Sequence, residues 1–183
     1  MNTIGIDYSL SCPAMCFMEK PDIKHVKFCY LTTVKKDTGV FGGKIEGVLH
    51  KEYFSEQERY DQIAEFFLNR IPTLPSPKIF MEDYSFGSKG KVFHIAENTG
   101  ILKHKMWEIG YKFQTIAPTV IKKFATGKGN SDKEAMYKAF LEETDVDLVK
   151  LLFPNKKLGS PVTDIVDSYY IAKWGYMQAN LMK

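Results

Sequence analysis

One acid inside an apolar strand limits this chain more than any other feature of its sequence. Residues 3–8 alternate, with Ile4, Ile6 and Tyr8 on one face and Gly5 and Asp7 on the other. That is the period of a β-strand. The next two segments, 14–18 and 26–31, are also apolar and β-favouring, and turn residues bound them. Short connections predict that the three form an antiparallel meander. The first strand also reads as a central one, and a carboxylate there is costly unless something pairs with it.

The remaining elements build layers around that meander. Residues 32–52 are rich in Gly and Lys, with Gly39, Gly42, Gly43 and Gly47, and are expected to form a flexible loop or insertion. Ser55-Glu56-Gln57-Glu58 has the pattern of a capping box and opens a helix to about Ile71. Pro72, Pro75 and Pro77 end it and lead into a strand over 78–83. Apolar spacing through Ile95, Leu102, Met106 and Ile109 predicts a helix over 92–109, stopped by Gly110. A fifth strand is expected at 112–117, and short helices at 118–124 and 131–143. Ser160-Pro161 makes a good N-cap and first-turn pair for a last helix. The order predicts one domain over residues 1–183. Its fold class is α/β: a five-stranded mixed sheet, three antiparallel strands then crossover strands, with helices on both faces.

Composition excludes several classes. With 44% hydrophobic and 26% charged residues over 183 positions, the chain reads as globular and not disordered. No apolar run is long enough to span a bilayer, and the N-terminus lacks a signal-peptide pattern. Three cysteines, Cys12, Cys16 and Cys29, suit reduced thiols in a cytoplasmic protein. The net charge of +3 says little by itself. Lysines gather locally, as Lys89, Lys91, Lys103, Lys105 and Lys112, and again as Lys122, Lys123, Lys128, Lys133 and Lys138. Solvated surface charge accounts for either group taken alone.

The acids can be set on this frame. Glu82 ends the fourth strand, where ligands of α/β sheets usually sit. Asp164 and Asp167 lie three apart near the start of the last helix and share a face. Alone, they read as acids favouring the helix dipole, and Glu82 as a strand end. Jointly with Asp7, four acids from three distant segments can meet on one rim. Such a cluster repels itself unless cations enter it, and oxygen ligands suit Mg²⁺ or Mn²⁺. Two such ions can serve phosphodiester hydrolysis without a Ser or His nucleophile.

The motifs, in order along nearly the whole chain, resemble the RuvC family of Holliday-junction resolvases within the RNase H-like superfamily. Ile4-Gly5-Ile6-Asp7-Tyr8-Ser9 is similar to its first-strand motif, and Ile79-Phe80-Met81-Glu82 to the segment carrying its catalytic Glu. Residues 118–133 resemble its lysine, glycine-loop and lysine stretch, and Asp164-Ile165-Val166-Asp167 its closing acidic pair. The resemblance implies a crossover junction endodeoxyribonuclease that nicks two strands of a four-way DNA junction symmetrically as a homodimer. Asp7, Glu82, Asp164 and Asp167 would be both catalytic and metal-binding, with two Mg²⁺ or Mn²⁺ ions per site. Lys122 and Lys133 match basic positions on the phosphate backbone, and Lys89, Lys91, Lys123 and Lys128 are further DNA-binding candidates. Phe86, and second Tyr84, match an aromatic that stacks on an unpaired base; either ring can instead pack in the core, and for Tyr84 the two readings weigh equally. The helix over 92–109 is the implied dimer seam, to which Met106 and Trp107 could lend an apolar patch; they could equally be core.

Departures from the family pattern mark a divergent member, of the compact bacteriophage type. Tyr8-Ser9-Leu10-Ser11 follows the first acid where the family commonly has Pro and Gly. Rival readings are a broader branch or flap nuclease, an RNase H acting on RNA–DNA hybrid, and a junction-binding protein without catalysis. An actin-like ATPase fragment shares the first-strand motif but lacks the Gly-rich turn after it.

Overall fold

The structure is a computed structural model that describes residues 2–73, 77–84 and 92–181. In chain order its elements are β1 (Thr3–Asp7), β2 (Ala14–Met18), β3 (Val26–Thr32), β4 (Gly39–Phe41), β5 (Ile45–Leu49), α1 (Glu56–Leu68), β6 (Lys78–Glu82), α2 (Val92–Glu108), β7 (Phe113–Ile116), α3 (Pro118–Thr126), α4 (Lys133–Thr144), α5 (Leu148–Leu152) and α6 (Val162–Leu181). They form one mixed sheet in the order β4-β5-β3-β2-β1-β6-β7. β1, β2 and β3 are the expected antiparallel meander. β6 and β7 continue parallel to β1 on its other side. Helices cover both faces.

The strand count corrects the sequence reading: among the described residues the sheet has seven strands, not five. The two additions come from residues 32–52, expected to be a flexible loop. β5 runs parallel to β3, and β4 pairs antiparallel with β5. The glycines that suggested a loop serve a tight hairpin. Gly42 and Gly43 take φ of 54° and 68° at its turn, a region that favours glycine. Gly47 leaves room for the Tyr30 ring, whose hydroxyl donates to the Asp37 carbonyl at 2.6 Å. Lys156 in turn holds both oxygens of the buried Asp37 carboxylate at 2.5 Å.

Two cores result from the period of the strands. On one face Ile4, Ile6, Tyr8 and Met81 pack under α1 and α2 through Ile63, Phe67, Leu102 and Met106. Met106 is thus core, not part of an outward patch; Trp107, beside it, is 72% exposed. On the other face Ala14, Cys16, Phe28, Tyr30 and Phe80 meet α3 to α6. The three cysteines are buried and unpaired. Ser55 caps α1 by accepting from the Glu58 amide at 3.1 Å, and Asp132 caps α4 from the Ala135 amide at 2.8 Å. The Ser160–Pro161 peptide is cis and α6 begins just after it. Among the described residues, no helix is long and apolar enough to cross a membrane.

α6 crosses β1 and β6 at backbone contact. A Cβ on Gly5 would fall 2.3 Å from both the Ala172 nitrogen and the Ser168 carbonyl oxygen. A Cβ on Gly175 would fall 2.2 Å from the Phe80 ring. Gly5→Ala should therefore destabilise the fold by about 3 kcal/mol or more, since the clash is with backbone and not with a movable side chain. Gly159→Ala, with open space around it, should leave a urea melt within about 0.5 kcal/mol of the parent.

Candidate active site

Register brings the first two acids together. β1 pairs in parallel with β6 from Thr3↔Lys78 to Ile6↔Met81. One step further sets Asp7 beside Glu82 at the C-terminal edge of the sheet. Both follow the parity of Gly5 and Phe80, whose face is the one α6 covers. The helix then supplies the other two. Ser168 lies over Gly5; one turn earlier, about 5.4 Å along α6, comes Asp164. Asp7 is two residues, about 6.6 Å, beyond Gly5 on the strand. The two advances nearly match, so Asp164 arrives at Asp7, and Asp167 follows on the same helix face.

The electrostatics record that meeting. Asp7 and Asp164 are buried, and Glu82 and Asp167 half-buried. Burial raises the Asp7 carboxyl well above its usual range, and Asp164, Glu82 and Asp167 raise it further. Burial, then Glu82 and Asp164, push Asp167 up to about 7. Burial also raises Glu82 and Asp164. Lys133 opposes the rise in all four, and Lys122 in Glu82 and Asp167. The Lys133 ammonium is held at the start of α6, donating to Thr163 Oγ1 at 3.2 Å.

As they stand, no three His, Cys, Asp or Glu side chains among the described residues converge tightly enough to hold an ion. The donor set nonetheless suits a hard divalent cation. All four candidates are carboxylates, their burial and mutual repulsion favour neutralisation by a cation, and Asp164 Oδ2 is buried without a hydrogen-bond partner.

A cleft of about 370 Å³ opens beside Asp7 and Glu82, on the side of the sheet that carries α1 and α2. Ser9, Arg59, Tyr84 and Thr99 also line it. Tyr84 is 37% exposed, with the Lys103 ammonium 4.5 Å from its ring centre. Lys122 and Lys123 lie on α3, the first half-buried and the second exposed, and Lys128 is exposed in the loop before α4. That loop is ordered by the Thr126 hydroxyl, which meets Ser131 Oγ at 2.6 Å, and by Gly127 at φ 81°. Phe86, Lys89 and Lys91 lie outside the described residues.

No protein-family model matches the sequence, and no curated protein matches it. Solved structures do. A Thermus thermophilus RuvC structure aligns with a TM-score of 0.59 at 15% identity, over 98% of this chain and 97% of that one. T. thermophilus RuvC in complex with a Holliday junction substrate aligns with a TM-score of 0.66 at 13% identity, over 100% and 96%. The chain has the fold of RuvC. The yeast mitochondrial Holliday junction resolvase Ydc2 shares that fold, with a TM-score of 0.57 at 18% identity, over 98% of this chain and 79% of that one.

Sequence reading missed two polar residues at this edge of the sheet. Thr163, which fixes Lys133, carries no signal of its own. Arg59 does: it is one of only two arginines in the chain, and it sits in the first turn of α1, where the helix dipole disfavours a cation.

The raised acids carry a signed consequence for stability. An Asp at 3.8 unfolded and about 7 folded favours the folded state fully below the lower value, and that support is lost as pH rises through the upper one. In EDTA, Asp167→Asn should therefore melt close to the parent at pH 4. Its advantage should grow through pH 7 and level off by pH 8, at several degrees. A constant difference across that range would separate Asp167 from the titration.

Proposed function

We propose that the chain is a RuvC-like resolvase: a divalent-metal-dependent crossover junction endodeoxyribonuclease that cuts four-way DNA junctions by paired, symmetric nicks. The observation that carries this reading is the gathering of Asp7, Glu82, Asp164 and Asp167, from three distant segments, at one sheet edge flanked by Lys122 and Lys133. The fold shared with junction-cutting proteins supports the substrate class. Buried acids at a rim faced by lysines suit a polyanion only if cations intervene, because carboxylates and phosphates repel.

In this reading the four carboxylates would hold two Mg²⁺ or Mn²⁺ ions. When bound, such ions lower the pKa of a water and neutralise charge on the leaving oxygen. The chain's own part is to hold and orient. Asp7 and Glu82 are fixed by adjacent strands, and Asp164 and Asp167 by a helix packed against β1. Thr163 aims the Lys133 ammonium at the region where phosphate charge builds up. Lys122, with Lys123 and Lys128 outside it, adds salt-dependent backbone affinity without sequence preference. Tyr84, at the cleft wall, offers a ring for stacking, and Phe86, Lys89 and Lys91 remain candidates of the same kind.

Paired nicks require two sites, hence a homodimer. The outward face of α2 suits a seam. Phe93, Gly100 and Trp107 recur every seven residues, Phe93 and Trp107 are 80% and 72% exposed, and nothing approaches a Cβ built on Gly100. Trp107→Asp should shift the protein to monomer in sedimentation while leaving its melting temperature within a few degrees. A dimer that persists would move the seam elsewhere.

The deciding experiment compares labelled four-way junction, flap, linear duplex and RNA–DNA hybrid with Mg²⁺ or Mn²⁺. Symmetric nicks confined to the junction are expected, with no cutting in EDTA. Cutting of flaps as well would mark a broader branch nuclease, and cutting of hybrid alone an RNase H. Asp7→Asn should lower junction cutting at least 1,000-fold, about 4 kcal/mol of barrier, with binding kept within a few-fold. Normal cutting by that variant would remove Asp7 from the chemistry.

A further inference from the structure

The first turn of α1 offers a cation that the metal-and-lysine reading leaves unused. Arg59 lines the same cleft as Asp7 and Glu82, yet it comes from the opposite face of the sheet to Lys122 and Lys133. Its side chain is 14% exposed. One guanidinium nitrogen donates to a neutral acceptor, the Leu10 carbonyl, at 2.8 Å. The other meets Glu56 at 3.5 Å, the long limit of a hydrogen bond, and that carboxylate is 41% exposed. Nε is buried with no partner. The group lies 5.2 Å from the centre of the Tyr53 ring.

This is a largely buried cation whose charge is poorly matched. It sits against the dipole of its own helix, a placement that lowers stability. The bond to Leu10 explains why the side chain is held, but a neutral donor would serve that purpose. A positive charge in a cleft otherwise edged by Asp7, Glu82 and Asp83 needs a different reason. The four acids already have cations of their own, Lys133 and Lys122, which oppose the rise in their carboxyls from the other face of the sheet. Arg59 lines the α1 side of the same groove.

We propose that Arg59 is a substrate-binding residue that grips a nucleic-acid phosphate next to the scissile one, on the α1 side of the cleft. Its planar fork suits a phosphate, and Tyr53 and the Leu10 bond hold it ready. The proposal rests on the nuclease reading and deepens it.

Salt dependence of binding separates this role from a structural one. Equilibrium binding to a four-way junction is measured from 50 to 300 mM KCl with Ca²⁺ in place of Mg²⁺, in an Asp7→Asn background. Each lost phosphate contact flattens the slope of log K against log[salt] by about 0.9. Arg59→Gln should flatten it by about that much per bound protomer and weaken binding several-fold at low salt. Arg59→Lys, which keeps the charge, should retain the parent slope. With the Asp7 side chain intact and Mg²⁺ present, Arg59→Gln should raise KM more than it lowers kcat. An unchanged slope for Arg59→Gln, whether or not its melting temperature falls, overturns the proposal and leaves Arg59 as a latch for Leu10. Absence of any salt-dependent junction binding by the Asp7→Asn parent would sink the nuclease reading itself, and this proposal with it.

Discussion

Where α6 crosses Gly5 of β1, no strand side chain stands between them. Gly5 presents bare backbone to Ser168 and Ala172, and Gly175 does the same towards the Phe80 ring. Everything at the acidic edge depends on that closeness. A helix resting on side chains would ride higher and would carry Asp164 and Asp167 away from Asp7. The glycine thus sets a distance between charges two residues away from it. The hydrophobic neighbours hold the geometry from both sides: Ile4 and Ile6 on the α1 face, Ile165, Val166 and Tyr169 along α6, all fully or nearly fully buried.

That same geometry works against stability. Four carboxyls are forced into partial burial, and each is pushed towards its neutral form. Two cationic side chains are also set against their helices, with Lys133 and Arg59 in the first turns of α4 and α1. None of these choices helps a chain to fold. They cluster within one region, while elsewhere charges follow the ordinary rules: Lys105 bridges Asp61 and Glu65 at 2.8 and 2.5 Å between α1 and α2, and Lys173 meets Glu143 at 2.6 Å. Concentrated violation of local preference marks a site selected for something other than stability.

The sequence made much of this legible, for reasons that differ from element to element. β1 was readable because its alternation is strict and one position breaks the apolar rule. The acids of α6 were readable through their spacing, although their contact with Asp7 depends on Gly5, whose role appears only with the helix in place. β4 and β5 were not readable. Their glycines carry the signature of a loop, and what turns them into strands is a tertiary event: Tyr30 crossing Gly47 and Lys156 anchoring Asp37. Apolar spacing found α2 but could not choose its inner face at Met106 and Trp107, adjacent residues of similar character that end up on opposite sides. Arg59 escaped because lysine clusters draw the eye, while a lone arginine in a capping-box helix reads as surface.

Placing the cations on a common frame also constrains how a polyanion can lie. Lys133 and Lys122 approach the acids from the α6 face, and Arg59 lies beyond the sheet edge on the α1 face. A run of phosphates that touched only the lysines could follow α3 and α4 and never pass the acids. One that also reached Arg59 would pass from the α6 face to the α1 face along the cleft that Asp7 and Glu82 line. In the proposed reading, opposed cations therefore do more than add affinity. They select the path that carries a phosphate across the carboxylates, and they do so through rigid elements, two helix starts and two strand ends, and not through a loop that must first be ordered.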